Sequence, residues 1–175
     1  MKPLHPQTQI LHSDRLRGAE HAASHQPIHK VVQWGYGKAQ DIADTFQYKR
    51  SGFTYARGGN PTTAALDAQI TLLAKGIGSV SFATGMAAIS TALLALLKEG
   101  DHLLARQYLF GNTTSWLNTW AVQGSEVSFV DATDADNVKA AVQPNTGMVC
   151  VETLANPRTQ IADLRGIGTL CAEHG

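Results

Sequence analysis

Phe82-Ala-Thr-Gly-Met-Ala-Ala88 reads as the end of a strand, a sharp turn and the start of a helix, and the rest of the chain repeats that unit. Val80 and Phe82 favour a strand over residues 79–83, Gly85 permits a tight turn, and residues 86–98 form an apolar helical stretch that Gly100 ends. Downstream, short apolar strands are expected at 102–105, 126–130 and 148–151, with helices beginning near Asn112, Asp134 and Asp163. Upstream, Asn60 is a good N-cap and Pro61 suits the first helical position. Leu66, Ile70 and Leu73 then share a face before Gly76 closes that helix. Strands separated by helices need crossover connections, so the expected fold class is α/β, a mostly parallel sheet with helices on both faces.

Composition sets the outer limits. The 175 residues, 43% hydrophobic and 16% charged, suffice for one substantial core. Fourteen basic side chains balance fourteen acidic ones, so no net field favours nucleic acid or an anionic membrane surface. The apolar run over 86–97 is short and interrupted by Ser90 and Thr91, and the polar N-terminus lacks the apolar centre of a signal peptide. A soluble, cytoplasmic protein is the expectation. Cys150 and Cys171 read as small buried hydrophobes rather than a disulfide. His21, His25 and His29 have helical spacing, but Pro27 breaks that helix and no acidic or thiol cluster completes a ligand set, so no metal site is expected. Residues 1–50 read as an N-terminal arm with a short helix near 13–24. Gly35-Tyr-Gly-Lys38 lacks the spacing of a nucleotide loop and reads as a turn. Gly76-Ile-Gly78 precedes a strand where a dinucleotide fingerprint would follow one.

Four stretches carry chemistry. Tyr55-Ala-Arg-Gly-Gly-Asn-Pro-Thr62 offers a phenol and a guanidinium, the latter a fixed fork of donors suited to phosphate oxygens. Thr84-Gly85-Met86 offers N–H groups at a helix start, at the carboxyl end of the expected strand, where ligands of parallel sheets bind. Together they form a split site for a phosphorylated ligand; taken alone, Thr84-Gly85-Met86 is also a plain strand-to-helix turn. Tyr108-Leu-Phe-Gly-Asn112 follows the next strand at the same edge of the sheet. Val151-Glu-Thr-Leu-Ala-Asn-Pro157 follows the strand holding Cys150, with a simple Asn-Pro turn as its alternative.

In this order and spacing the four stretches, within roughly residues 30–175, resemble the pyridoxal-phosphate (PLP) enzymes of cysteine and methionine metabolism. That family includes cystathionine synthases and lyases and the homoserine-ester sulfhydrylases. The resemblance implies a type-I PLP fold in which residues 51–175 supply the first part of the large, cofactor-binding domain, while the arm over 1–50 reaches a neighbouring subunit. It implies PLP held by Tyr55, Arg57, Gly85, Met86, Phe110 and Asn156. Gly85 and Met86 would meet the phosphate, and Asn156 the phenolic oxygen. Phe110 stands where the family's usual residue is Tyr, so ring stacking carries over and any role of the hydroxyl does not; Tyr108 is not its positional match.

The same resemblance places the Schiff-base Lys and the Asp that pairs the pyridinium nitrogen beyond Gly175. None of Lys2, Lys30, Lys38, Lys49, Lys75, Lys98 and Lys139 lies in the family's Ser-x-Thr-Lys context, so no catalytic residue is nominated in this chain. The helix expected over 164–173, capped by Gly175, stops where a further strand is due, and the chain reads as cut short and inactive alone. The implied assembly is a homodimer or homotetramer with PLP sites shared between subunits, Tyr55 and Arg57 acting in trans. The implied reaction is γ-replacement on an O-acylhomoserine with cysteine or sulfide, giving cystathionine or homocysteine. Leu109-Phe-Gly-Asn-Thr113 and Glu152-Thr-Leu-Ala-Asn-Pro-Arg-Thr-Gln160 are closest to a synthase or sulfhydrylase branch. A γ-lyase acting on cystathionine or methionine is the alternative enzyme, and a non-catalytic truncated fragment the alternative of another class.

Overall fold

The computed structural model describes residues 5–13 and 20–174, and the chain divides into two compact units that part after Ser81. In the first unit Pro6 seeds helix α1 (Pro6–His12), where its missing N–H costs no hydrogen bond. The helix expected near 13–24 is therefore displaced: Ser13 closes α1, and 20–22 form a short 3₁₀ turn in which His21 and Ala22 take φ of 54° and 56°. Residues 14–19 of that expectation lie outside the described residues. Gly35-Tyr-Gly-Lys38 is a bend leading into α2 (Ala39–Phe46), which lies within the arm.

Helix α3 (Pro61–Ala74) begins as expected. Asn60 Oδ1 accepts from Thr62 N at 2.8 Å, while Asn60 Nδ2 donates to His29 O at 3.0 Å, so one buried side chain caps the helix and fastens a preceding segment to it. Its other end differs. Lys75, not Gly76, takes the left-handed position at φ 53°, and Gly76 N then donates to Thr71 O at 2.9 Å. Leu66 and Ile70 are 48% and 47% exposed, so the apolar face of α3 is not a core face within this unit.

The expected strand over 79–83 does not form. No residue there enters a ladder, and Val80 and Phe82 are 75% and 41% exposed. Apolar composition supplies the extended tendency, but a strand exists only with a paired edge.

The second unit is an α/β layer structure. Its parallel sheet has the order β2-β1-β3, built from β1 (His102–Arg106), β2 (Glu126–Val130) and β3 (Thr146–Cys150). Leu104 pairs with Ser128 and Val149, and Ala105 with Phe129 and Cys150. Helices α4 (Gly85–Leu96), α5 (Gly111–Val122), α6 (Ala135–Ala141) and α7 (Leu164–His174) complete it. The two-residue period of β1 divides the core. Leu103 and Ala105 pack with Leu93 of α4 and Leu117 of α5, whereas Leu104 packs with Val138 of α6 and with Ile167 and Leu170 of α7. Helices thus cover both faces, as the alternation of elements requires. Gly175, the expected cap of α7, lies outside the described residues. Cys150 packs half-buried against the first of these cores, but Cys171 is exposed, against the expectation of a small buried hydrophobe. Among the described residues no helix is long and apolar enough to cross a membrane.

Candidate functional site

Phe110 and Asn156 follow the carboxyl ends of β1 and β3, where ligands of parallel sheets bind, whereas Gly85 and Met86 open α4 after an extended segment that is not part of the sheet. Thr84 caps α4, its Oγ1 accepting from Ala87 N at 3.1 Å. The N–H groups of Gly85 and Met86, one and two positions into the helix, have no acceptor among the described residues. Nothing lies within 4 Å of where a Cβ on Gly85 would stand, so the backbone at the helix start is open on that side. Unpaired N–H groups with the helix dipole behind them are what a phosphate dianion requires.

Phe110 is the N-cap residue of α5 and is 50% exposed, leaving ring surface free for a planar partner. Its N–H donates to Glu152 Oε1 at 2.9 Å. Asn156 is exposed in the loop after β3, where Ala155 N donates to Gln160 O at 2.9 Å and Ala162 N to Thr153 O at 3.0 Å. An antiparallel bridge between Leu154 and Ile161 closes the base of that loop, and the Asn156-Pro157 peptide is cis.

The junctions are linked to one another. Thr113 Oγ1 lies 3.7 Å from Met86 Sδ, joining the first turns of α5 and α4. The Arg158 guanidinium stands 4.3 Å from the centre of the Tyr108 ring, joining the Asn156 loop to the turn before α5. Met86, Phe110 and Asn156 thus belong to one connected set of segments. Thr113 and Glu152 lay within the stretches quoted above but were given no role, and Arg106 lay outside them. Arg106 ends an apolar strand and Glu152 stands in a polar loop, so neither carries a periodic signal.

Tyr55 and Arg57 belong to the first unit. Tyr55 bridges to Gln33, with Trp34 N donating to Thr54 O at 3.2 Å and Ala56 N to Val32 O at 2.8 Å. The chain then turns, Gly58 N and Gly59 N both donating to Tyr55 O. Arg57 is exposed, its guanidinium carbon 5.2 Å from the centre of the Tyr55 ring, and it makes no ion pair among the described residues. Both line a concavity of about 480 Å³ together with Arg50, whose own charge is matched by Asp41 at 2.8 Å. Arg57 is therefore a free cation in a concave surface.

Electrostatics at the sheet's carboxyl edge are set by hydrogen bonds. Two bonds from Thr133, from its N–H and its hydroxyl, hold Asp131 below the usual carboxylate range, helped by the charge of Arg106. Burial, reinforced by the Glu152 carboxylate, pushes the Cys150 thiol up.

Known proteins share this fold. The solved structure of a protein described as an O-acetylhomoserine (thiol)-lyase from Campylobacter jejuni superposes with a TM-score of 0.88 over 98% of this chain and 43% of its own, at 25% identity, and contains a pyridoxyl-lysine phosphate. L-methionine gamma-lyase of Treponema denticola is 32% identical over 85% of this chain, and O-acetyl-L-homoserine sulfhydrylase of Corynebacterium glutamicum 34% identical over 92%. Cystathionine gamma-synthase of Mycobacterium bovis is 40% identical over 69%. The chain spans 37% of the length of the first two of these relatives. The family described as Cys/Met metabolism PLP-dependent enzyme matches residues 7–175. The chain belongs to the Cys/Met metabolism family of PLP-dependent enzymes.

Proposed function

We propose that the full-length protein catalyses γ-replacement on an O-acylhomoserine, with cysteine or sulfide as the nucleophile, and that this chain supplies the phosphate-binding and ring-binding side of its PLP site. The observation that carries the reading is the helix start at Gly85 and Met86, whose N–H groups have no acceptor among the described residues, tied through α5 to Phe110 and to the Asn156 loop. The donor set fits the cofactor. Gly85 and Met86 would bind phosphate oxygens through backbone N–H groups, Phe110 would stack on the ring, and the Asn156 amide would donate to the phenolic oxygen. PLP, when bound, supplies an electron sink to the substrate's α-carbon. The residues of this chain bind and orient it. Phe110 carries no hydroxyl, so proton movement at that side of the ring falls to other groups.

Tyr55 and Arg57 would serve the phosphate of a neighbouring subunit, which makes the working unit a homodimer or a tetramer of two such dimers. The arm over 1–50 and the cofactor domain from residue 51 are the proposed division of labour in that assembly. The relatives named as methionine γ-lyases favour a second reading, γ-elimination from methionine or cystathionine. Product analysis separates the two. The full-length protein given O-acetyl- or O-succinylhomoserine should form homocysteine with sulfide or cystathionine with cysteine. Release of a 2-oxo acid and ammonia from methionine or cystathionine, with no thiol adduct, would replace this reading by the lyase one.

A further inference from the structure

Arg106 is 1% exposed at the carboxyl end of β1, yet it forms no ion pair among the described residues. A buried cation without a carboxylate partner is destabilising unless its donors are used. Two of the three nitrogens of this guanidinium are used, and both by the Asn156 loop. Nη1 donates to Glu152 O at 2.6 Å where the loop departs from the sheet, and Nη2 donates to Gln160 O at 2.8 Å where it returns. Nε has no partner. Gln160 O also accepts from Ala155 N, and Glu152 Oε1 accepts from Phe110 N, so the same two residues gripped by Arg106 fix the neighbour of Asn156 and the N-cap residue of α5.

We infer that Arg106 is a positioning residue for the cofactor ring, a buried clamp that holds both limbs of the 152–161 loop and, through Glu152, sets Asn156 and Phe110 in one arrangement. The inference rests on the reading above that Asn156 and Phe110 face the cofactor. A planar fork can hold two carbonyls at a fixed separation, whereas a Lys ammonium is a point charge on a flexible stem that holds one of them well at most. The clamp stands on a fully buried strand, whereas most of the loop it holds is exposed around buried Ala155, so Arg106 adds a fixed anchor to the loop's own backbone hydrogen bonds.

The test uses the full-length protein with PLP as the probe. Arg106→Met should speed hydrogen exchange at the amides of Phe110, Ala155 and Ala162 about tenfold or more and leave those of α6 unchanged. It should weaken PLP binding about tenfold, as should Asn156→Ala, and the double variant should bind within about twofold of either single one, because both remove the same contact. Arg106→Lys, which keeps the charge and much of the volume, should fall between wild type and Arg106→Met and serves if the Met variant does not fold. Unchanged exchange at the loop amides in a variant that melts cooperatively would overturn the clamp, and so would multiplicative losses in the double variant. If Asn156→Ala leaves PLP binding unchanged, the assignment of Asn156 to the cofactor falls, and the exchange measurement still decides whether Arg106 holds the loop.

Discussion

Arg57 and Lys98 are both exposed cations, but only Arg57 sits in a concavity, and its fork matches phosphate geometry. A charge-assisted contact of that kind is worth about 1.5–3 kcal/mol, against under about 1 kcal/mol for an exposed helix-end Lys. Arg57→Ala should therefore raise the PLP dissociation constant of the full-length protein at least about tenfold, and Lys98→Ala should leave it nearly unchanged; equal constants from a fluorescence titration would make Arg57 an ordinary surface charge. The two cysteines give a second contrast. Burial and the Glu152 carboxylate raise the Cys150 thiol, so the folded state holds that proton more tightly than the unfolded chain. The stabilisation is complete below the unfolded value and is lost as pH rises through the folded one. At mildly alkaline pH a thiol reagent should label exposed Cys171 faster than half-buried Cys150; equal labelling rates would contradict the shielding of the Cys150 thiol. Tyr55, Arg57, Gly85, Phe110 and Asn156 stand out in the sequence as residues of distinctive chemistry in an ordered string, and their roles at the cofactor belong to the proposal above. Arg106 does not stand out, because an Arg after an apolar run reads as the solvent-facing end of a strand. Only the fold shows that the strand end is covered by the loop returning at Gln160.

Elements were legible wherever local chemistry decides them. Asn60, Thr84 and Asp134 cap α3, α4 and α6 through their side chains. The apolar runs became β1, β2 and β3 within two residues of the expected ends because each gains a parallel partner. The segment 79–83 has the same composition and no partner, and pairing is a non-local property that no window of sequence contains. Lys75 escaped for the opposite reason. Gly76 carries the usual signature of a helix end, but hydrogen bonds of the last turn place the left-handed residue one position earlier. Lys75 pays a steric cost there that glycine avoids, so Lys75→Gly should stabilise the protein by about 0.5–1 kcal/mol, seen as a higher denaturation midpoint. A lower midpoint would show that the Lys75 side chain contributes more than its backbone costs. Thr84→Ala should act in the other direction, costing about 1 kcal/mol through the lost cap. It should also weaken PLP binding, since a frayed first turn no longer presents Gly85 and Met86; a stability loss with unchanged PLP affinity would separate α4 from the phosphate.

At the scale of the whole molecule, the chain covers 37% of the length of several relatives, and none of its lysines lies in the context that the family uses to hold PLP covalently. The 175-residue chain alone should accordingly retain no pyridoxyl group after borohydride treatment and dialysis; a trapped adduct on one of its lysines would revise that view. The cofactor site proposed here needs more than one subunit, with Tyr55 and Arg57 lent to a neighbour and the Gly85 turn, Phe110 and Asn156 kept at home. Subunit mixing tests that claim most directly. Full-length Arg57→Ala protein is combined with a variant lacking the PLP-linking Lys expected beyond residue 175, and subunit exchange is confirmed by native mass spectrometry. Each hybrid dimer then has one site with an intact Lys from one chain and an intact Arg57 from the other. At a PLP concentration that leaves the Arg57→Ala protein largely unloaded, random pairing predicts recovery on the order of a quarter of wild-type activity. No recovery after confirmed exchange would mean that each site is built within a single chain, and the assignment of Tyr55 and Arg57 to the neighbour's phosphate would be wrong.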